Sequence, residues 1–188
     1  MTHRIRIVSF LTILFLFSGC TRKEQAATTT KPTSPVSDNI AEVVKVEQRA
    51  NKVPNFSWKD RSGNITDFDS YRGNVTLINF WATWCGPCKK ELPDLIALSK
   101  ELSNRGVKFI GVSTDRGGNV VDDVRAFAQK QGMTYQIVVA NEEMEEAFGN
   151  IRAIPTSFII DREGKIAQSI VGMRSKEFFA GAITAVLQ

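Results

Sequence analysis

Residues 75–89 read Val-Thr-Leu-Ile-Asn-Phe-Trp-Ala-Thr-Trp-Cys-Gly-Pro-Cys-Lys, and this stretch decides the fold. Val75–Trp81 is β-branched and apolar apart from Thr76 and Asn79, the pattern of a strand buried in the middle of a sheet. A helix is expected to follow, from about Gly86 to Asn104, with Pro93 inside it removing one hydrogen bond and bending it. Cys85 then stands at a helix N-terminus, where unpaired N–H groups and the macrodipole stabilise an anion. Its thiol is therefore expected to titrate below the free value of about 8.5. Cys88 comes one helical turn later on the same side, placed to close a disulfide with Cys85 or to resolve a mixed disulfide formed there. Pro87 suits the first turn, because its missing N–H has no partner at that position. The same spacing also fits a structural disulfide or half of a zinc site. Zinc wants two more ligands, and Cys20 is the only cysteine left.

On the N-terminal side, Phe56–Trp58 and Ile65–Phe68 flank the turn Asp60–Gly63 and predict a small hairpin. On the C-terminal side, Val107–Ser113 and Tyr135–Val139 predict two more strands. Between them Val121, Val124, Phe127 and Ala128 recur at helical spacing after Asn119, with Asp122 and Asp123 favourable in the first turn. Asn141 is placed to cap a short helix that runs to Phe148 and stops at Gly149. Thr156–Asp161 and Ile166–Val171 predict a hairpin turning at Arg162–Lys165. Ser175 is placed to cap a last helix whose apolar face is Phe178, Phe179, Ala182, Ile183 and Val186. Ile40–Ala50 is expected as a short helix. Strands alternating with helices, then a hairpin and a final helix, make an α/β layered domain with a central mixed β-sheet, spanning residues 52–188.

The first 20 residues, MTHRIRIVSFLTILFLFSGC, place His3, Arg4 and Arg6 ahead of an apolar run, Ile7–Phe17, that is too short to span a bilayer. With Ser18, Gly19 and Cys20 following, the segment resembles a bacterial lipoprotein signal. The resemblance implies a cleaved signal peptide over 1–19 and lipidation of Cys20, although Phe17 stands where such signals usually carry Leu. An uncleaved anchor, or an ordinary signal with an incidental cysteine, are the alternatives. Residues 21–39 are rich in Thr, Ser, Ala and Pro, cannot build a core, and extend the expected tether over 20–51. At 188 residues, 43% hydrophobic and 23% charged, the chain fits one globular domain with tails. The net charge of +4 includes Arg4 and Arg6, and offers no clustered basic face for nucleic acid. His3 is the only histidine, so cleavage leaves none. A Cys–His or Ser–His nucleophile and histidine-ligated metal are then excluded.

Trp84-Cys85-Gly86-Pro87-Cys88 after an apolar strand resembles the thioredoxin superfamily, which implies a thioredoxin fold with an N-terminal β-hairpin and an inserted helix–strand unit near 119–140. Ile154-Pro155-Thr156 ahead of TSFIID matches the superfamily's second motif. By that resemblance Ile154–Pro155 is cis and packs against the Cys85–Cys88 loop, where it aligns a bound partner. Gly172 is expected to shape a third wall of this groove, or else to be an ordinary turn glycine. The leader, the inserted unit and Glu91 in Cys-Lys-Lys-Glu-Leu-Pro together resemble the TlpA/ResA type of membrane-anchored thiol–disulfide reductases. Thioredoxins carry a buried Asp on the strand before the motif; here that position is Asn79, which cannot take a proton from Cys88. The resemblance gives that part to Glu91, three residues past Cys88, whose carboxyl would titrate high if desolvated. A solvated Glu paired with a lysine is the alternative. Trp84 is expected on the partner-facing surface with Gly86 and Pro87, and Trp81 in the core. Lys89, Lys90, Glu142, Glu143, Glu145 and Glu146 are expected on solvated faces.

The reaction expected is reduction of client disulfides, with the Cys85–Cys88 pair as the only redox group and no cofactor or metal. The resembled family suggests apocytochrome c among the clients, a membrane thiol transporter as electron donor, and an extracytoplasmic, lipid-anchored location. Competing readings are an oxidase or isomerase, disfavoured by Gly86-Pro87, and a peroxidase, disfavoured by Ala82 where a threonine is required. A non-enzymatic copper-binding assembly factor would need a histidine.

Overall fold

A computed structural model describes residues 39–188. Its elements are β1 (Ile40–Glu47), β2 (Asn55–Asp60), β3 (Ile65–Asp67), β4 (Val75–Trp81), α1 (Gly86–Leu102), β5 (Val107–Ser113), α2 (Val120–Gln131), β6 (Gln136–Val139), α3 (Glu142–Ala147), β7 (Thr156–Ile160), β8 (Ile166–Val171) and α4 (Lys176–Leu187). All eight strands form one mixed sheet in the order β3-β2-β1-β6-β5-β4-β7-β8. Parallel β1, β6, β5 and β4 make its centre, and antiparallel β2–β3 and β7–β8 extend its two edges.

β4 is buried along its whole length, as its composition predicts. Its side chains alternate between two cores, as the period of a strand requires. Val75, Leu77 and Trp81 pack with α1 and with α2 or α4, while Ile78 and Phe80 join an aromatic group with Phe56, Phe68, Phe148 and Phe158. Asn141 caps α3, its side chain accepting the Met144 N–H at 2.9 Å. Ser175 caps α4 by accepting the Phe178 N–H. Phe179 and Ile183 of α4 are buried, but Phe178 is 40% exposed and stands outside the expected apolar face, with the Arg174 guanidinium 5.6 Å from its ring.

Ile40–Ala50 is not a helix. Ile40–Glu47 is a strand that pairs parallel with β6 and antiparallel with β2, bridging the hairpin to the rest of the sheet. Ile40, Val43 and Val44 sit at i, i+3 and i+4, which reads as a helix face. The same residues are β-branched and favour strands, and pairing with two neighbours decides the outcome. Ile40–Glu47 is therefore part of the folded sheet, ahead of the expected start near Lys52 and inside the expected tether. The expected signal peptide, the lipidation of Cys20 and the tether to residue 38 lie outside the described residues.

Candidate active site

β4 ends at Trp81, at the C-terminal end of the parallel strands, and α1 begins five residues later. The turn between them is closed by the Cys85 N–H donating to the Ala82 carbonyl at 3.1 Å, with Thr83 and Trp84 at its two central positions. Cys85 is the N-cap of α1, and its sulfur accepts the Cys88 N–H at 3.2 Å. Cys85 and Cys88 are joined in a disulfide, with Cα atoms 5.3 Å apart. Both are buried, Cys85 at 4% exposure. On reduction, the N–H that meets the Cys85 sulfur and the dipole of a 17-residue helix both favour the thiolate.

The second motif lies against the first. The Cys85 sulfur is 3.8 Å from the Ile154 carbonyl oxygen, and the Ile154–Pro155 peptide is cis. The Pro155 carbonyl accepts the Gly172 N–H at 2.8 Å. Gly172 has φ 83°, a left-handed backbone that favours glycine. Cys85, Ile154, Pro155 and Gly172 thus converge, whereas Gly86 and Pro87 are exposed on the first turn of α1. Trp84 is 68% exposed and forms one side of a hollow of about 140 Å³ whose other side is Ile151–Ile154. Trp81 is fully buried, as expected of core packing. A larger hollow, about 390 Å³ and lined by Ser99, Lys100, Val107 and Tyr135 among others, lies at the start of β5, away from the disulfide.

Glu91 is one turn beyond Cys88 on α1 and only 2% exposed. Its two oxygens have different partners. One accepts from the Asn79 side-chain amide at 3.1 Å, the other from the Arg174 backbone N–H at 2.9 Å. Burial pushes its carboxyl above the usual range, although both hydrogen bonds pull the other way. Asn79 also donates to the Ser157 hydroxyl at 2.9 Å. The alternative of a solvated Glu91 is therefore wrong: β4, β7 and the loop before α4 enclose it. Lys89, Lys90, Glu142, Glu143 and Glu146 are exposed as expected, but Glu145 is half-buried and pairs with Arg116.

Asp115, which accepts from the N–H and hydroxyl of Thr83 in the turn before Cys85, is not legible as a site residue in the sequence, nor are Ser157 and Arg174. The one signal Asp115 carries is its place two residues past the C-terminal end of a buried strand, where sites of open α/β sheets gather. Arg174 acts through its backbone, which no side-chain pattern reveals.

The chain matches the AhpC/TSA family over residues 50–169. It is 33% identical over 124 residues to the thiol-disulfide oxidoreductase ResA of Geobacillus kaustophilus (strain HTA426), covering 66% of this chain and 70% of that protein. It is 32% identical over 130 residues to the thioredoxin-like protein YneN of Bacillus subtilis (strain 168), covering 69% of this chain and 75% of the relative. Among solved structures, a thiol:disulfide interchange protein from Chlorobium tepidum TLS superposes with a TM-score of 0.67 at 33% identity, covering 76% of this chain and 99% of that one. StoA from Bacillus subtilis superposes with a TM-score of 0.60 at 26% identity, covering 71% and 98%. With its Cys85–Cys88 disulfide on a thioredoxin-like sheet, the chain belongs to the AhpC/TSA family, and within it to the ResA-type thiol–disulfide oxidoreductases.

Proposed function

We propose that this protein reduces disulfides of client proteins on the outer side of a bacterial membrane. The observation that carries the reading is a disulfide capping α1 with a buried carboxyl one turn behind it. In the reduced protein the Cys85 thiolate attacks one sulfur of the client disulfide. The client S–S bond breaks, a Cys85–client disulfide forms, and the released client thiolate takes a proton. Cys88 then gives its proton to Glu91 and attacks the Cys85 sulfur. The Cys85–Cys88 disulfide forms and the second client thiolate leaves, protonated from Glu91. The client gains two electrons and the cysteine pair loses them.

Asn79 supports the proton step from below. It donates to Glu91 but has no carboxylate of its own, so the basic group beneath Cys88 is Glu91. The turn Ala82–Cys85, the cis peptide and Gly172 form the walls against which an extended client segment aligns, with Trp84, Gly86, Pro87 and Ile154 at its surface. The leader supports a lipid anchor on Cys20, and a membrane thiol transporter as the source of electrons. Apocytochrome c fits as a client, because its haem-binding cysteines must be reduced before haem attachment.

The test is Cys88→Ser. This variant should accumulate dithiothreitol-sensitive mixed disulfides at Cys85, and Cys85→Ser should accumulate none. Equal trapping by both variants, or by neither, refutes the assignment.

A further inference from the structure

Asp115 lies at the C-terminal end of β5, just beyond Ser113, and is 7% exposed. A buried carboxylate is costly unless it is fully hydrogen-bonded or paired. No lysine or arginine among the described residues forms an ion pair with it. Hydroxyl and amide donors compensate it instead. The Thr83 N–H donates to both oxygens, at 2.9 and 3.2 Å. The Thr83 hydroxyl donates at 2.6 Å, and the Ser113 hydroxyl at 2.8 Å.

Three of these four contacts come from Thr83, a central residue of the turn that presents Cys85. The turn uses the Cys85 N–H to close itself and leaves the Thr83 N–H free, and Asp115 takes it. Next to it, the Thr114 N–H donates to the Trp81 carbonyl at 2.8 Å, fixing the exit of β4. Arg116 extends the brace away from the turn by donating to the Asp115 and Ala140 carbonyls and pairing with Glu145 of α3.

We infer that Asp115 is a positioning residue for the reaction: by gripping Thr83 it sets where the Cys85 sulfur and the Trp84 indole stand. The inference rests on the reading of Cys85 as the attacking thiol. Its effect is transmitted through two residues of backbone, because Asp115 touches neither sulfur. Loss of the grip lets the turn shift relative to the N-terminus of α1, which weakens the thiolate and misaligns the attack. Misplacement of a reacting group by an ångström can lower a rate by on the order of a hundredfold.

The test compares full-length wild-type protein with Asp115→Ala, Asp115→Asn and Leu102→Ala. Leu102 is a buried core residue at the far end of α1 and serves as a control for lost stability. Two readouts are taken well below each melting temperature: the titration of the Cys85 thiolate by absorbance at 240 nm, and the rate of insulin disulfide reduction. Asp115→Ala should raise the Cys85 pKa and slow reduction by tenfold or more, on the scale of about a hundredfold for a misplaced group. Asp115→Asn keeps an oxygen for the Thr83 N–H and an amide for the hydroxyls, and should restore both readouts to near wild type. Leu102→Ala should move neither. An unchanged thiolate titration and rate in Asp115→Ala, or equal changes in Leu102→Ala, overturns the inference. If Asp115→Ala does not fold, Thr83→Val replaces it and should shift both readouts in the same direction through loss of the 2.6 Å contact; no shift overturns the inference. Wild-type protein that fails to reduce insulin sinks the reading of Cys85 and this inference with it.

Discussion

Gly111 on β5 faces Asn79 in the register of the central strands, beneath the exit of β4. A Cβ built there would lie 2.9 Å from the Trp81 Nε1, 3.2 Å from the Tyr135 Cε2 and 3.6 Å from the Ile137 Cγ1. Two opposing effects follow for Gly111→Ala. Glycine inside a strand is destabilising by roughly 0.5–1 kcal/mol relative to alanine, which favours the variant. Overpacking a well-filled core costs about 1–3 kcal/mol, which opposes it. The contact decides between them. The Trp81 indole is rigid and fully buried, with Phe127 at 5.3 Å from its centroid, so it has nowhere cheap to go. The overpacking cost less the glycine gain spans about 0–2.5 kcal/mol, and a contact of 2.9 Å with a rigid ring puts the expected loss inside that span, at about 1–2 kcal/mol. Urea unfolding of the oxidised protein, followed by tryptophan fluorescence, measures it. Because Trp81 leads into the turn before Cys85, the variant should also reduce insulin more slowly. A variant as stable as wild type, or more stable, refutes the packing argument around Trp81.

Glu91→Gln isolates the buried carboxyl. The native carboxyl titrates above its ordinary 4.5 because burial disfavours its charge. Below 4.5 both folded and unfolded chains hold the proton, and the group contributes no pH dependence. From 4.5 up to the raised native value the unfolded chain loses its proton first, so stability falls as pH rises. Wild type should therefore lose stability relative to Glu91→Gln across that window, and the resolving step of the variant should lose its pH dependence; parallel profiles would contradict the buried titration. Asn141→Ala removes the cap of α3 and should cost about 1 kcal/mol in urea unfolding, within the range of about 0.5–2 for lost caps. No loss would show that the Met144 N–H finds another partner.

The fold was legible wherever one local signal dominated. Val75–Trp81 has no polar face to offer and could only be a central strand, and Asn141 and Ser175 marked helix starts through side chains that accept backbone N–H groups. Ile40–Glu47 reads as a helix by its apolar spacing and as a strand by its β-branched residues, and only the paired neighbours β2 and β6 separate the two. The site divides the same way. The cysteine pair, Pro155 and Glu91 lie within recognisable motifs. Asp115 reaches the turn before Cys85 from the loop after β5, Ser157 lies on β7, and Arg174 contributes a backbone N–H. Their relation to the motif exists only once the sheet has formed. Gly172 reads as a wall of the groove or as an ordinary turn glycine, and its N–H pairs with the Pro155 carbonyl where the β7–β8 ladder ends.

The equilibrium reduction potential of the Cys85–Cys88 pair, read from tryptophan fluorescence in dithiothreitol or glutathione buffers, tests the proposed direction of electron flow most directly. A reductase predicts a value near the thioredoxin figure of about −270 mV, and in any case below roughly −220 mV. A value near about −120 mV, in the range of a strong oxidant, would make the pair a source of disulfides and contradict the account.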